Sequence, residues 1–277
     1  FGLSANTKKF EYQDKRHFYS IQLEVYKQFA ADSSRSSSQY IIFSKVNQDV
    51  LQDLIDDDDL TEVDDLTEID DFTFPIESYF PVLETIVIKM TTEAHYNAQE
   101  NFNRVLIAKL HEMNGLDKKI TFVRKVETEK RTKEPDKAYR PITLPTNRTR
   151  QWPTLTLEIG YSEPRWKLAK DAHWWLTESI GAVKTVVTAK IEQKRRSIEF
   201  EKWVMEDDND HIIPKMTYHS VLSKETDEKP IQITNSDPLV VDFQQLFLRP
   251  AAANIEKDII FSKDDLEEIA TAVWASQ

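Results

Sequence analysis

The chain has 277 residues, no cysteine, four glycines and a formal charge of −12. That length can bury a substantial core, and the absence of cysteine excludes disulfides, thiolate zinc sites and a cysteine nucleophile. No run approaches the roughly 18 apolar residues of a membrane helix, and no basic start leads into an apolar signal core, so a soluble, intracellular protein, cytoplasmic or nuclear and without a membrane partner, is expected.

Phe18, Ile21, Val25 and Phe29 recur at helical spacing and predict an amphipathic helix, which the polar run Asp32 to Ser38 interrupts. Val50, Leu51, Leu54 and Ile55 share one face of a second, short helix. A near-perfect six-residue repeat follows, Asp58-Asp-Leu-Thr-Glu-Val and Asp64-Asp-Leu-Thr-Glu-Ile; two copies are too few for a solenoid, and the spacing lacks the glycine and terminal glutamate of an EF-hand loop. An acidic loop is expected there. Thr85 to Met90 reads as a strand. Thr91 or Thr92 can cap the next helix, whose apolar stripe is Ala98, Phe102, Leu106, Leu110 and Met113, with Gly115 past its end. His95, in its first turn, reads as a structural or capping residue.

Ile120 to Val126 alternates as a strand, Asp136 opens another through Ile142, and a Pro- and Arg-rich loop runs to Trp152 before a strand over Thr154 to Ile159. If the last two strands pair antiparallel about Asn147, the middle of their loop, Asp136 and Glu158 lie at the same end of the hairpin. Pro164 suits a first helical turn, and Arg165 to Ser179 reads as a helix closed by Gly181. Its Leu168, Ala172, Trp175 and Leu176 form one face, and Lys167, Lys170, Asp171 and Trp174 another. Strands over 183–191 and 197–205 follow. Residues 206–236 read as polar loop with one edge strand, and the chain ends on a helix with a capping box from Ser262 and Asp265. The β–α–β–β order from 154 to 205 predicts an α/β (α+β) fold with a mixed central sheet flanked by helices.

Charge is segregated along the chain. Val46 to Ile88 holds fourteen acids and no Lys or Arg, whereas Asp117 to Arg150 holds eleven Lys plus Arg against five acids. A basic stretch beside a carboxylate pair suits capture of a phosphate-bearing polymer, with a solvated loop as the alternative. Two carboxylates at a strand end suit a divalent cation with oxygen ligands. Trp152, Trp166, Trp174 and Trp175 are either core or a stacking surface for single strands. Nothing supports serine, cysteine or histidine-metal catalysis: Gly-x-Ser-x-Gly, His-Glu-x-x-His and a Gly-rich phosphate loop are all missing.

Pro135-Asp136, then Glu158 within Pro153-Thr-Leu-Thr-Leu-Glu-Ile-Gly-Tyr-Ser162, then Leu168 and Trp175 on the following helix, resemble the PD-(D/E)XK nuclease superfamily. Within it the likeness is to the Uma-type restriction endonuclease family and uncharacterised fungal relatives; Thr85 to His95 and Val240 to Leu248 extend it over about residues 80 to 250. The resemblance implies a restriction-endonuclease-like core, assigned to 81–277; it leaves the first 80 residues unexplained, and these read from their own sequence as an N-terminal helical extension with an acidic loop over 1–80. It implies Mg²⁺ or Mn²⁺ as cofactor, Asp136 and Glu158 as metal-binding acids, and hydrolysis of phosphodiesters in DNA. A homodimer is one admissible assembly. The chain departs from the pattern at Gly160, where the superfamily has its catalytic lysine. Uma-type relatives carry that lysine on the next helix, at a position matching Asp171, so Lys170 and Lys167 are the candidate catalytic lysines and Asp171 a candidate further metal ligand. A fold without turnover, binding nucleic acid or a protein partner, is the alternative.

Overall fold

The computed structural model describes residues 1–32, 37–56, 74–161, 164–192, 194–208, 211–226, 228–252 and 255–277. The acidic repeat over 58–69 lies outside them. The chain divides into two compact units, one of Phe1, Leu3–Thr91 and Lys125–Glu134, the other of Gly2, Thr92–Arg124 and Pro135–Gln277. Elements are numbered in chain order.

The first unit contains β1 (Lys8–Glu11), α1 (Lys15–Ala31), β2 (Tyr40–Ser44), α2 (Gln48–Ile55), β3 (Ile76–Phe80), β4 (Thr85–Lys89), β6 (Val126–Glu127) and β7 (Thr132–Lys133). Both expected helices are present. Asp14 caps α1 by accepting from the His17 amide at 2.7 Å, and Asn47 caps α2 through the Val50 amide. Among the described residues the strand order is β1-β2-β4-β3-β7-β6, with β1 and β2 parallel and the remaining pairs antiparallel. Phe18 of α1 packs on Phe43 of β2, ring centroids 4.8 Å apart. Glu77 on β3 is buried and compensated from β7 and the turn before it: Lys133 donates to Glu77 Oε1, and Arg131 does so at 3.1 Å. A buried carboxylate needs such partners.

The second unit contains α3 (Glu93–Glu112), β5 (Ile120–Phe122), β8 (Lys137–Pro141), β9 (Leu155–Tyr161), α4 (Arg165–Glu178), β10 (Thr185–Glu192), β11 (Arg196–Asp208), β12 (His211–Lys224), β13 (Gln232–Ile233), β14 (Leu239–Val241), α5 (Phe243–Phe247), β15 (Ile259–Phe261) and α6 (Lys263–Trp274). Among the described residues its main sheet runs β13-β12-β11-β10-β9-β8-β5, and only β9 and β10 pair in parallel. This is the expected mixed sheet with flanking helices. Leu155, Leu157 and Ile159 of β9 and Val187, Ala189 and Ile191 of β10 join one core with Ala98, Phe102 and Leu106 of α3 and Leu266, Ile269 and Val273 of α6. The alternate residues face α4, which packs on β9 and β10 from the other side. With both faces covered, β9 is buried at every position but Tyr161.

One expectation fails. Residues 206–236 are mostly strand: β11 runs on to Asp208, and β12 returns over fourteen residues. Their far end reaches past β10, whose pairing with β11 covers residues 197–204, so both faces there are partly wet and no strict apolar alternation is required. Pro214 is tolerated because β13 pairs only Leu222 and Ser223, leaving the Pro214 stretch of β12 as an edge.

Candidate functional site

The β8–β9 hairpin sets the site. Lys137 pairs with Leu157, Ala138 with Thr156 and Tyr139 with Leu155, and Asp136 stands immediately before the first paired residue, as Glu158 stands immediately after its partner. The carboxylates then take different partners. Asp136 Oδ2 accepts the Ile159 amide at 2.5 Å, and Oδ1 lies 3.0 Å from His95 Nε2 in the first turn of α3. Thr92 fixes that turn by accepting from the His95 amide at 3.2 Å. Glu158, on the α4 face of β9, accepts from the Trp175 indole at 2.5 Å and is 1% exposed.

Helix α4 presents Lys167, Asp171 and Trp175 at i, i+4 and i+8, one buried row leading from the Glu158 carboxylate toward the helix start. Lys167 donates to Asp171 Oδ2, and both are buried. Lys170 differs. It is exposed, and its ammonium stands 5.1 Å from the Trp166 ring centroid. The single-residue offset between Lys170 and Asp171, about 100° around a helix, therefore separates a surface side chain from a buried one, while Lys167, one turn before Asp171, is buried with it. Of the tryptophans, Trp152, Trp174 and Trp175 pack together with centroids 4.8–6.1 Å apart, and Trp175 is fully buried; Trp166 is exposed. Three of the four are thus packed against one another rather than arrayed for stacking bases.

The polar set continues across the sheet. Glu158 pairs laterally with Thr188, Thr188 with Glu201 and Glu201 with His219, so these four share the α4 face in one transverse row. Glu201 is 2% exposed and accepts from the Trp203 indole at 2.9 Å and from Arg165 Nε at 2.5 Å. Arg165 also reaches Glu199 at 3.2 Å, and Glu199 meets His219 Nε2 at 2.6 Å. Burial works against the Arg165 guanidinium, but the bond and charge of Glu201 and the charge of Glu199 outweigh it and raise its pKa. Among the described residues, the trio of His and acid side chains whose ligand atoms all lie within 4.8 Å of one another is Glu199, Glu201 and His219, and neither Asp136 nor Glu158 belongs to it. Arg165 already supplies that trio with a cation. Sequence reading missed this half of the row; the signal was the alternation Glu199-Phe200-Glu201, whose Phe200 enters the core while its acids face α4.

The donor set at Asp136 and Glu158 fits a hard divalent cation. Each carboxylate offers about four acceptor sites, and oxygen is the ligand atom that Mg²⁺ and Mn²⁺ prefer. No helix among the described residues is long and apolar enough to cross a membrane. No family model and no curated protein matches the chain. Among solved structures, a crystal structure from Anabaena variabilis described as "a putative nuclease belonging to DUF820" is similar over 66% of this chain and 87% of that one, at 11% sequence identity and a TM-score of 0.37, a likeness that fixes neither a family nor an activity.

Proposed function

We propose that the second unit is a metal-dependent nuclease domain that hydrolyses phosphodiester bonds in DNA, with Asp136 and Glu158 as the metal-binding acids. The observation that supports this reading is the hairpin register, in which Lys137 pairs with Leu157, so that Asp136 and Glu158, the residues matching the two acids of the PD-(D/E)XK pattern, flank the same end of the ladder. When bound between them, Mg²⁺ or Mn²⁺ would activate water and offset charge on the transferring phosphoryl group. The chain's own residues do the positioning. The Ile159 amide and His95 hold the Asp136 carboxylate, and the Trp175 indole holds Glu158, so neither acid has to be ordered when substrate arrives. Lys167, on the Glu158 side of α4, is the better candidate for the lysine absent at Gly160, and Asp171, bonded to it, sets its place. The basic stretch around β8 supplies electrostatic capture of the phosphate backbone.

A second reading has its own support. Lys167 is already bonded to Asp171 inside the protein, which suits a nuclease fold that binds nucleic acid or a protein partner without turnover. Incubating the protein with supercoiled plasmid and Mg²⁺ or Mn²⁺ separates the readings. Turnover should fall by more than about a hundredfold in Asp136→Asn and Glu158→Gln, because even outer-shell partners of a metal are worth about 10–100-fold. Cleavage untouched by both substitutions would end the assignment, and salt-dependent oligonucleotide binding with no nicking would favour the silent fold.

A further inference from the structure

At the other end of the same hairpin lies a cavity of about 640 Å³, walled by the β8–β9 loop (Asn147, Arg148), the turn into β10 (Gly181, Lys184) and the α5 segment (Gln244, Gln245). Thr154, at the foot of β9, is bonded to both neighbouring walls, donating to Leu246 O at 2.8 Å and accepting from the Lys184 amide at 2.9 Å. Glu158 is four strand residues further along, about 13 Å away at the usual rise, so the cavity and the acid pair are separate places.

Arg148 is the unusual wall residue. Its Nη2 donates to three carbonyls, Trp152 O at 3.0 Å, Pro153 O at 3.1 Å and Ala182 O at 2.9 Å, which lock the guanidinium in place. Its Nε–H is buried with no acceptor, and no carboxylate among the described residues forms an ion pair with it. Burial first, and the charge of Arg140 second, push its pKa down. Lys184, on the wall formed by the turn into β10, likewise has no ion-pair partner among the described residues. Gln245 gives its carbonyl oxygen to the Thr185 hydroxyl at 3.2 Å, which leaves its amide nitrogen as a donor. The acid of the wall, Asp242, is turned to the Gln245 backbone amide at 2.6 Å. The cavity is therefore rich in donors, carries more positive than negative charge, and holds a guanidinium locked in place by three carbonyls.

We propose that this cavity binds a phosphate monoester of nucleotide size, with Arg148 and Lys184 holding the phosphate and the amides of Asn147, Gln244 and Gln245 meeting the remainder. A guanidinium and an ammonium lining one cavity suit a phosphate group, and the volume falls in the range of small-molecule sites, about 300–1,000 Å³, well beyond a bare phosphate ion. This site does not depend on the nuclease reading.

Calorimetric titration of the full chain in metal-free chloride buffer, against AMP, inorganic phosphate and adenosine, tests it. AMP should bind at a single site, phosphate more weakly, and adenosine not at all. Lys184→Glu, at a side chain with no ion-pair partner among the described residues, should weaken AMP by about tenfold or more, since a charge-assisted hydrogen bond is worth that much; Arg148→Lys, checked for folding by circular dichroism, should do the same. Asp136→Asn should leave AMP binding unchanged. The proposal is overturned if neither AMP nor phosphate binds at millimolar concentration, if adenosine matches AMP, if Lys184→Glu has no effect, or if Asp136→Asn abolishes binding and so places AMP at the acid pair.

Discussion

Lys167 and Asp171 show what a buried charge requires. Each is almost fully buried, and each has the other as a partner one helical turn away. Removing one partner of a buried ion pair costs about 3–5 kcal/mol, whereas replacing both with apolar residues of similar volume is often neutral. Lys167→Met should therefore destabilise the protein by about that amount in urea unfolding, and Lys167→Met with Asp171→Leu should recover at least part of the loss. A double variant as unstable as the sum of the single ones would mean that the pair is not the lysine's main anchor. Arg165 plays a comparable part at the start of the same helix, tying α4 to the Glu199 and Glu201 carboxylates of β11. The orientation of the Lys167–Asp171–Trp175 row over Glu158 thus rests on partners at both ends.

Helix α6 is the element whose logic is most local. Ser262 and Asp265 form the reciprocal cap, and Lys109 of α3 adds an ion pair to Asp265 at 2.8 Å. Burial would raise the Asp265 pKa, but the bonds from Lys109 and Ser262 outweigh it, and the net shift is downward. A depressed carboxylate pKa contributes stability above the unfolded value, about 3.9 for Asp, and loses it as pH falls through the folded value. The stability gap between the native chain and Asp265→Asn should therefore be widest at neutral pH and close below about pH 4; a gap that does not change from pH 7 to pH 3 would refute the ionised cap. Such a cap can be read from sequence because Ser262 and Asp265 are three residues apart. The hairpin register was legible for a similar reason, a near-symmetric loop about Asn147. The contacts that complete the candidate site were not: His95 reaches Asp136 across 41 residues, and Arg165 reaches Glu201 across 36. Strand β12 was hidden by Pro214, tolerable only on an edge that tertiary structure defines.

At the scale of the whole molecule the two units are interleaved in the chain. The first is completed by residues 125–134, which arrive only after α3 and β5 of the second. Strand β7 in that segment pairs with β3, and Lys133 and Arg131 neutralise the buried Glu77. A fragment of residues 1–91 should accordingly fail to unfold cooperatively in thermal circular dichroism, because it keeps Glu77 and loses both cations; a sharp transition in that fragment would contradict this account. The same interleaving sets an order in time during synthesis. Strand β3 leaves the ribosome with one edge open, and about fifty more residues must follow before β7 can cover it. At ordinary elongation rates that is about 3–10 s, a window in which the exposed edge is a template for pairing with another chain. A nascent chain of this protein would be most dependent on chaperones between the appearance of Phe80 and that of Lys133.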